Sequence, residues 1–137
     1  MLSSTAEYAL RAVLYVAQHA TEAPVRVGQV ARALDLPQNY LSKILNELTK
    51  SGVLVSTRGK HGGFQLARPA DRLSLHAIIN RFDQIEARRA CLLGRKACSD
   101  RSACPVHWRW KALSDQVVGF FRETTVAELL SGATAPV

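Results

Sequence analysis

The sequence predicts a mainly α-helical chain carrying one small β-hairpin. Three observations support that class. Apolar residues recur at three- and four-residue spacing over positions 4–50 and again over 106–122, which is the period of a helix face. Around residues 53–67 the pattern changes to short β-rich runs on either side of a glycine-rich turn. From Ile85 to Pro105 periodicity disappears, and this stretch holds all three cysteines, Cys91, Cys98 and Cys104.

The elements follow in chain order. Leu10, Val13, Leu14 and Ala17 line one face of a helix over 4–20, where alanine-rich composition favours the helical state. Thr21 to Pro24 break it. Val27, Val30, Ala31 and Leu34 define a short second helix over 27–34, and Asp35-Leu36-Pro37 makes a tight turn, with Pro37 suited to a first helical turn. The third helix runs to Lys50 with Tyr40, Leu41, Ile44, Leu45 and Leu48 facing inward, and Gly52 supplies its stop. Val53-Leu54-Val55 and Phe64-Gln65-Leu66-Ala67 read as the two strands of the hairpin, around the basic segment Arg58 to Gly63. Pro69 to Asp71 end the hairpin, and Leu75 to Phe82 form another short helix. A long helix starts near Val106 and reaches about Arg122, with Trp110, Leu113, Val117 and Phe121 along one apolar stripe that suits a partner subunit. Thr125 and Glu128 have the spacing of a capping box opening a last short turn. The expected organisation is a head over 1–84, a cysteine loop over 85–105, and a dimerisation helix with its C-terminal turn over 106–137.

Composition bounds the function. The 137 residues suffice for one core, and 47% hydrophobic with 21% charged residues is ordinary for a soluble globular protein. Eighteen Lys and Arg against eleven Asp and Glu give a net charge of +7, which favours a nucleic-acid partner. No run of 18 apolar residues is present, so no membrane span is expected. Glu7 and Arg11 interrupt the N-terminal apolar stretch and no basic segment precedes it, unlike a signal peptide. An odd number of cysteines argues against a disulfide framework, so a cytoplasmic protein with thiols available to metal is expected.

Two short helices joined by a tight turn, followed by a basic hairpin, describe a winged helix-turn-helix. The second helix of such a pair lies in the DNA major groove and offers its first residues to base edges. Here those residues are Gln38, Asn39, Ser42 and Lys43; Gln and Asn pair bidentately with adenine. In the hairpin, Arg58, Lys60 and His61 stand among Gly59, Gly62 and Gly63, whose freedom allows close approach to a phosphate backbone. Taken singly, polar residues at a helix start and a solubilising turn explain these features as well; their order favours double-stranded DNA. His61-Gly62-Gly63 imitates the oxyanion loop of lipases, but no G-x-S-x-G elbow accompanies it and no phosphate loop is present, so no enzyme is expected.

The cysteines have the spacing C-x6-C-x5-C, with His107 following at C-x2-H. Thiolates with one imidazole suit an iron–sulfur cluster, and equally a Cys3His zinc site. Arg88, Arg89, Arg95, Lys96 and Arg101 lie nearby and favour the thiolate form, which also admits a sensor working by cysteine oxidation.

Several segments together resemble the IscR/NsrR family of bacterial winged-helix iron–sulfur transcriptional regulators. They are Ala6-Glu7-Tyr8-Ala9-Leu10-Arg11-Ala12, Asn39-Tyr40-Leu41-Ser42-Lys43-Ile44-Leu45, Arg58-Gly59-Lys60-His61-Gly62-Gly63-Phe64, the three-cysteine loop, and Thr124-Thr125-Val126-Ala127-Glu128-Leu129. The resemblance covers essentially the whole chain. It implies a homodimer in which the helix near 106–122 crosses its partner, and operator binding controlled by cluster state. Family members sense cluster supply, iron, nitric oxide or redox poise, and some lack a cluster. IscR-like members place His where His107 stands, and NsrR-like members use an acidic residue at the place of Glu7, which reaches the cluster of the other subunit. This chain has both, so two-iron and four-iron clusters stay open. Glu7 is preferred as the fourth ligand, because the fold does not require an acidic residue there. Its alternative role is an i,i+4 ion pair with Arg11.

Overall fold

The computed structural model describes residues 2–89, 91–94 and 100–132. Helix α1 spans Ser4–His19, and Ser3 caps it by accepting the Ala6 N–H through its side chain. Helix α2, Val27–Leu34, ends at Asp35 in the left-handed conformation (φ 54°), which an Asp tolerates better than most residues. Helix α3, Gln38–Lys50, begins at Pro37 and stops before Gly52 (φ +81°). Strands β1, Leu54–Thr57, and β2, Gly63–Leu66, form an antiparallel pair in the register Leu54↔Leu66 to Thr57↔Gly63.

One core serves α1, α2, α3 and the hairpin base. Ala6, Ala9, Val13, Leu41, Leu45, Leu48 and Val53 are fully shielded within it. Three of the four alanines of α1, Ala6, Ala9 and Ala12, are fully buried in it. Helix α4 covers Leu75–Ile79 and is shorter than the apolar run to Phe82 predicts. The chain turns there because the Phe82 and Asp83 N–H groups both bond back to the Ile79 carbonyl, at 2.9 and 2.8 Å, and the Asn80 side chain accepts the Ile85 N–H. Within the aperiodic stretch, Ile85–Arg89 and Asp100–Ser102 form single 3-10 turns, too short to leave a period in the sequence.

Helix α5, His107–Glu123, packs beside α4 and the turn at 85–89. Its buried face is His107, Ser114, Val118 and Phe121. The predicted stripe is therefore divided. Phe121 is enclosed and Val117 packs partly against the chain's own core, Trp110 is half-buried, and Leu113 is exposed together with Trp108 and Phe120. Helix α6, Val126–Ser131, opens with the predicted capping box between Thr125 and Glu128. A bridge between Ser74 and Thr125, with the Val126 N–H bonded to the Leu73 carbonyl at 2.9 Å, ties this C-terminal element to the exit of the hairpin. Among the described residues no helix is long and apolar enough to cross a membrane.

Candidate functional site

The helix pair and hairpin form one face. Leu41, Ile44, Leu45 and Leu48 anchor α3 in the core, leaving Gln38, Asn39 and Lys43 exposed and Ser42 half-buried along its first turns. No side chain caps α3, so its leading N–H groups stay available to an external acceptor. Gln38 leans over α2: a Cβ built at Gly28 would meet its Oε1 at 3.4 Å. The tilt of α3 is held from behind by Tyr40, whose hydroxyl is 2.8 Å from the Thr5 hydroxyl and whose ring meets Tyr8 edge-on at 6.1 Å.

Arg58, Lys60 and His61 are exposed on the turn between β1 and β2. The turn is built on close backbone approach. A Cβ at Gly62 would lie 2.1 Å from the Thr57 carbonyl oxygen, and one at Gly63 (φ +149°) would lie 2.4 Å from that of Val25. Val25 forms a single antiparallel bridge to Phe64 through two backbone bonds of 3.0 and 2.7 Å. Next to it, the Arg26 guanidinium donates to the Lys60 carbonyl at the turn's tip. An open cleft of about 330 Å³ separates the hairpin from the starts of α2 and α3, lined by Arg26, Gly28, Gln38, Thr57, Gly59 and Gly62 among others. Two short helices and a cationic hairpin thus present one surface, a winged helix-turn-helix.

Asp100 and Cys104, at the end of the cysteine-bearing stretch, meet the start of α5. Cys98 falls outside the described residues; Cys91 is half-buried and Cys104 is buried. The Cys104 carbonyl accepts the His107 N–H at 3.0 Å as α5 begins. The His107 ring is 4% exposed, and its Nε2 lies 2.9 Å from Asp100 Oδ1, which Lys111 Nζ also approaches at 3.3 Å. These hydrogen bonds, His107 first and Lys111 second, hold the Asp100 carboxyl below the usual carboxylate range against a smaller opposing effect of burial. Glu7 is exposed on α1, and the expected Glu7–Arg11 ion pair is not found among the described residues. Instead the Arg11 guanidinium lies 5.9 Å over the Tyr8 ring. Among the described residues no three His, Cys, Asp or Glu side chains gather as a metal site.

Comparison with known proteins decides the family. The profile of the Rrf2 family, described as an iron-dependent transcriptional regulator, matches residues 2–132. The chain belongs to the Rrf2 family. As a member it is a DNA-binding transcriptional regulator, in agreement with the surface just described. Among Rrf2-type relatives, the HTH-type transcriptional regulator IscR of Serratia proteamaculans (strain 568) is 32% identical over 130 residues, 95% of this chain and 79% of that protein. The structure of CymR, the global cysteine regulator of B. subtilis, superposes with a TM-score of 0.80 at 22% identity, covering 97% of this chain and 98% of that one. T. potens IscR gives a TM-score of 0.75 at 23% identity, over 96% and 86% of the two chains. The two structures share the fold of this Rrf2 member.

Three contacts around these surfaces leave no signal in the sequence: Arg26 to Lys60, Thr5 to Tyr40, and Asp100 to His107. The first two join residues more than thirty positions apart through side chains, and spacing along the chain carries no signal for such pairs. The third reaches seven residues from the aperiodic stretch to the first residue of α5, and no helix or strand period fixes the direction of Asp100.

Proposed function

We propose that this regulator binds its operator as a homodimer and that an iron–sulfur cluster held by Cys91, Cys98 and Cys104 controls the binding. The observation that carries the reading is the setting of Cys104 and His107. A buried thiol and a buried imidazole stand together at the start of α5, beside a loop supplying two more thiols. Three thiols with one nitrogen donor suit a cluster by chemistry. The Asp100 partner strengthens the fit, because a ligating His usually gives its other ring nitrogen to a carboxylate, which fixes the ring. His107 is the candidate fourth ligand from the same chain, and exposed Glu7 stays the candidate from the α1 of a second copy. When bound, the cluster supplies a group whose iron and sulfide respond to iron supply, oxidants or nitric oxide.

In this reading residues 1–84 read DNA, 85–105 hold the cluster and 106–137 dimerise. Arg58, Lys60 and His61 contact phosphate, Gln38, Asn39, Ser42 and Lys43 approach base edges, and exposed Leu113 with Trp108 and Phe120 faces the second subunit. The test is absorption spectroscopy with iron and sulfide analysis on protein purified without oxygen. Visible absorption with iron and sulfide in equal amounts, abolished in Cys104→Ala, is expected. Colourless protein containing zinc, or no metal, overturns the cluster. The same three thiols then favour the second reading, a zinc-stabilised or cysteine-oxidation-sensing repressor, separated by whether peroxide changes DNA binding reversibly with thiol.

A further inference from the structure

We propose that Arg26 is a positioning residue for DNA reading: it clamps the tip of the wing to the start of α2 and so sets the distance between wing cations and α3. The inference rests on the DNA-binding reading and not on the cluster. Arg26 stands immediately before α2 as its N-cap residue, but its side chain makes no cap hydrogen bond. The guanidinium instead spans to the wing and donates to the Lys60 carbonyl, 34 residues away. Val25, its neighbour, is already bridged to Phe64 of β2, so the backbone delivers Arg26 to the wing's side.

The wing base is fixed by strand pairing and close backbone approach, and the tip has fewer such ties. Gly62 and Gly63 leave no room for a side chain against Thr57 and Val25, and the register from Leu54↔Leu66 to Thr57↔Gly63 fixes the strands. Beyond Thr57 the tip keeps one backbone bond of its own, Gly62 N–H to the Gly59 carbonyl at 3.1 Å, and Gly59 takes φ +106°. Arg58, Lys60 and His61 are all exposed on this tip. Their position relative to Gln38 and Asn39 is then set by the clamp from outside the hairpin. A guanidinium suits the task because its long arm carries a planar donor group to the carbonyl, here through Nη2.

The clamp can be read without DNA. The carbonyl that Arg26 holds belongs to the bond trypsin cleaves after Lys60, and the bond after Arg58 in the same turn serves as reference. In full-length Arg26→Ala, cleavage after Lys60 relative to Arg58 is expected to rise at least about fivefold, with the thermal midpoint unchanged within about 2 °C, as for a surface substitution. An unchanged ratio, or faster cleavage at every site, overturns the clamp. Function is then read on two fluorescent duplexes: one selected by the wild-type protein from a random library, the other a scrambled duplex of equal length. Arg26→Ala is expected to lower affinity for the selected duplex about tenfold, but no more than about threefold further when Lys60 is already Ala, because coupled residues are not additive. It should also narrow the ratio between the two duplexes. Full multiplication of the two effects, with the ratio kept, would make Arg26 one more independent phosphate contact and overturn the positioning role. Failure of the wild-type protein to select any duplex would refute DNA reading itself, whatever the trypsin ratio shows.

Discussion

Single residues divide the DNA face into two kinds of contact. Lys60 is exposed on the wing tip, and in the proposed reading it contacts phosphate. Lys60→Ala should weaken selected and scrambled duplexes alike and flatten the salt dependence by about one unit, measured by anisotropy titration at several salt concentrations. Asn39, exposed at the first turn of α3, should behave differently: Asn39→Ala should change which sites are preferred, by roughly 1–3 kcal/mol at one position. Gly63 tests the packing underneath. Its missing Cβ leaves room for the Val25 carbonyl at a φ that side chains rarely take, so Gly63→Ala should cost about 1–3 kcal/mol in urea unfolding and loosen the wing. Residue identity alone indicated most of this face, because polar residues before an apolar helical stripe, and cations among glycines, are local patterns. It did not indicate Arg26, whose partner is a backbone carbonyl in another element.

At the scale of elements, the junction after α4 joins the reading head to the thiol loop. Asp83 accepts the Ser3 N–H at the start of α1, Arg81 pairs with Glu47 near the end of α3 at 2.7 Å, and Glu86 receives both His76 Nε2 from α4 and Arg122 from α5. Burial pushes the Glu86 carboxyl up, but the hydrogen bonds from Arg122 and His76 together outweigh it and hold the group below its usual range. The sign follows: a lowered folded pKa adds stability above the unfolded value, and that stability is lost as pH falls through the folded one. Glu86→Gln should therefore be less stable than the parent at about pH 6, with the gap closing below about pH 4.3, measured by urea unfolding. Glu86 is partly exposed, so screening limits the gap to about 1 kcal/mol or less. Long periodic elements, α1, α2, α3 and the Thr125–Glu128 capping box, were legible from sequence because period and cap chemistry are local. The end of α4 and the turns at 85–89 and 100–102 were not, since side-chain bonds such as Asn80 to Ile85 override an apolar run. Along α5 the chain's own core takes Ser114, Val118 and Phe121, and the stripe expected to meet a partner shares only Phe121 with it, because packing alone chooses between adjacent apolar positions such as Val117 and Val118.

For the whole molecule, the apolar groups left outside on α5 ask for a partner. Trp108, Leu113 and Phe120 are each more than half exposed, an unusual display for a monomer. A dimer through this helix, in keeping with a two-fold operator, should sediment as such at micromolar concentration, and Leu113→Asp should weaken association by about 2 kcal/mol or more. That assembly would place two reading heads and two thiol loops in one particle, which is the arrangement by which loop chemistry can alter DNA affinity. The most direct measurement of that link is a pair of binding isotherms on one selected duplex, using the same oxygen-free preparation before and after its iron is removed by a chelator. Cluster control predicts an affinity change of at least about tenfold, equivalent to about 1.4 kcal/mol, with dimer content unchanged. Superimposable isotherms from protein shown to have held and then lost iron and sulfide would contradict it.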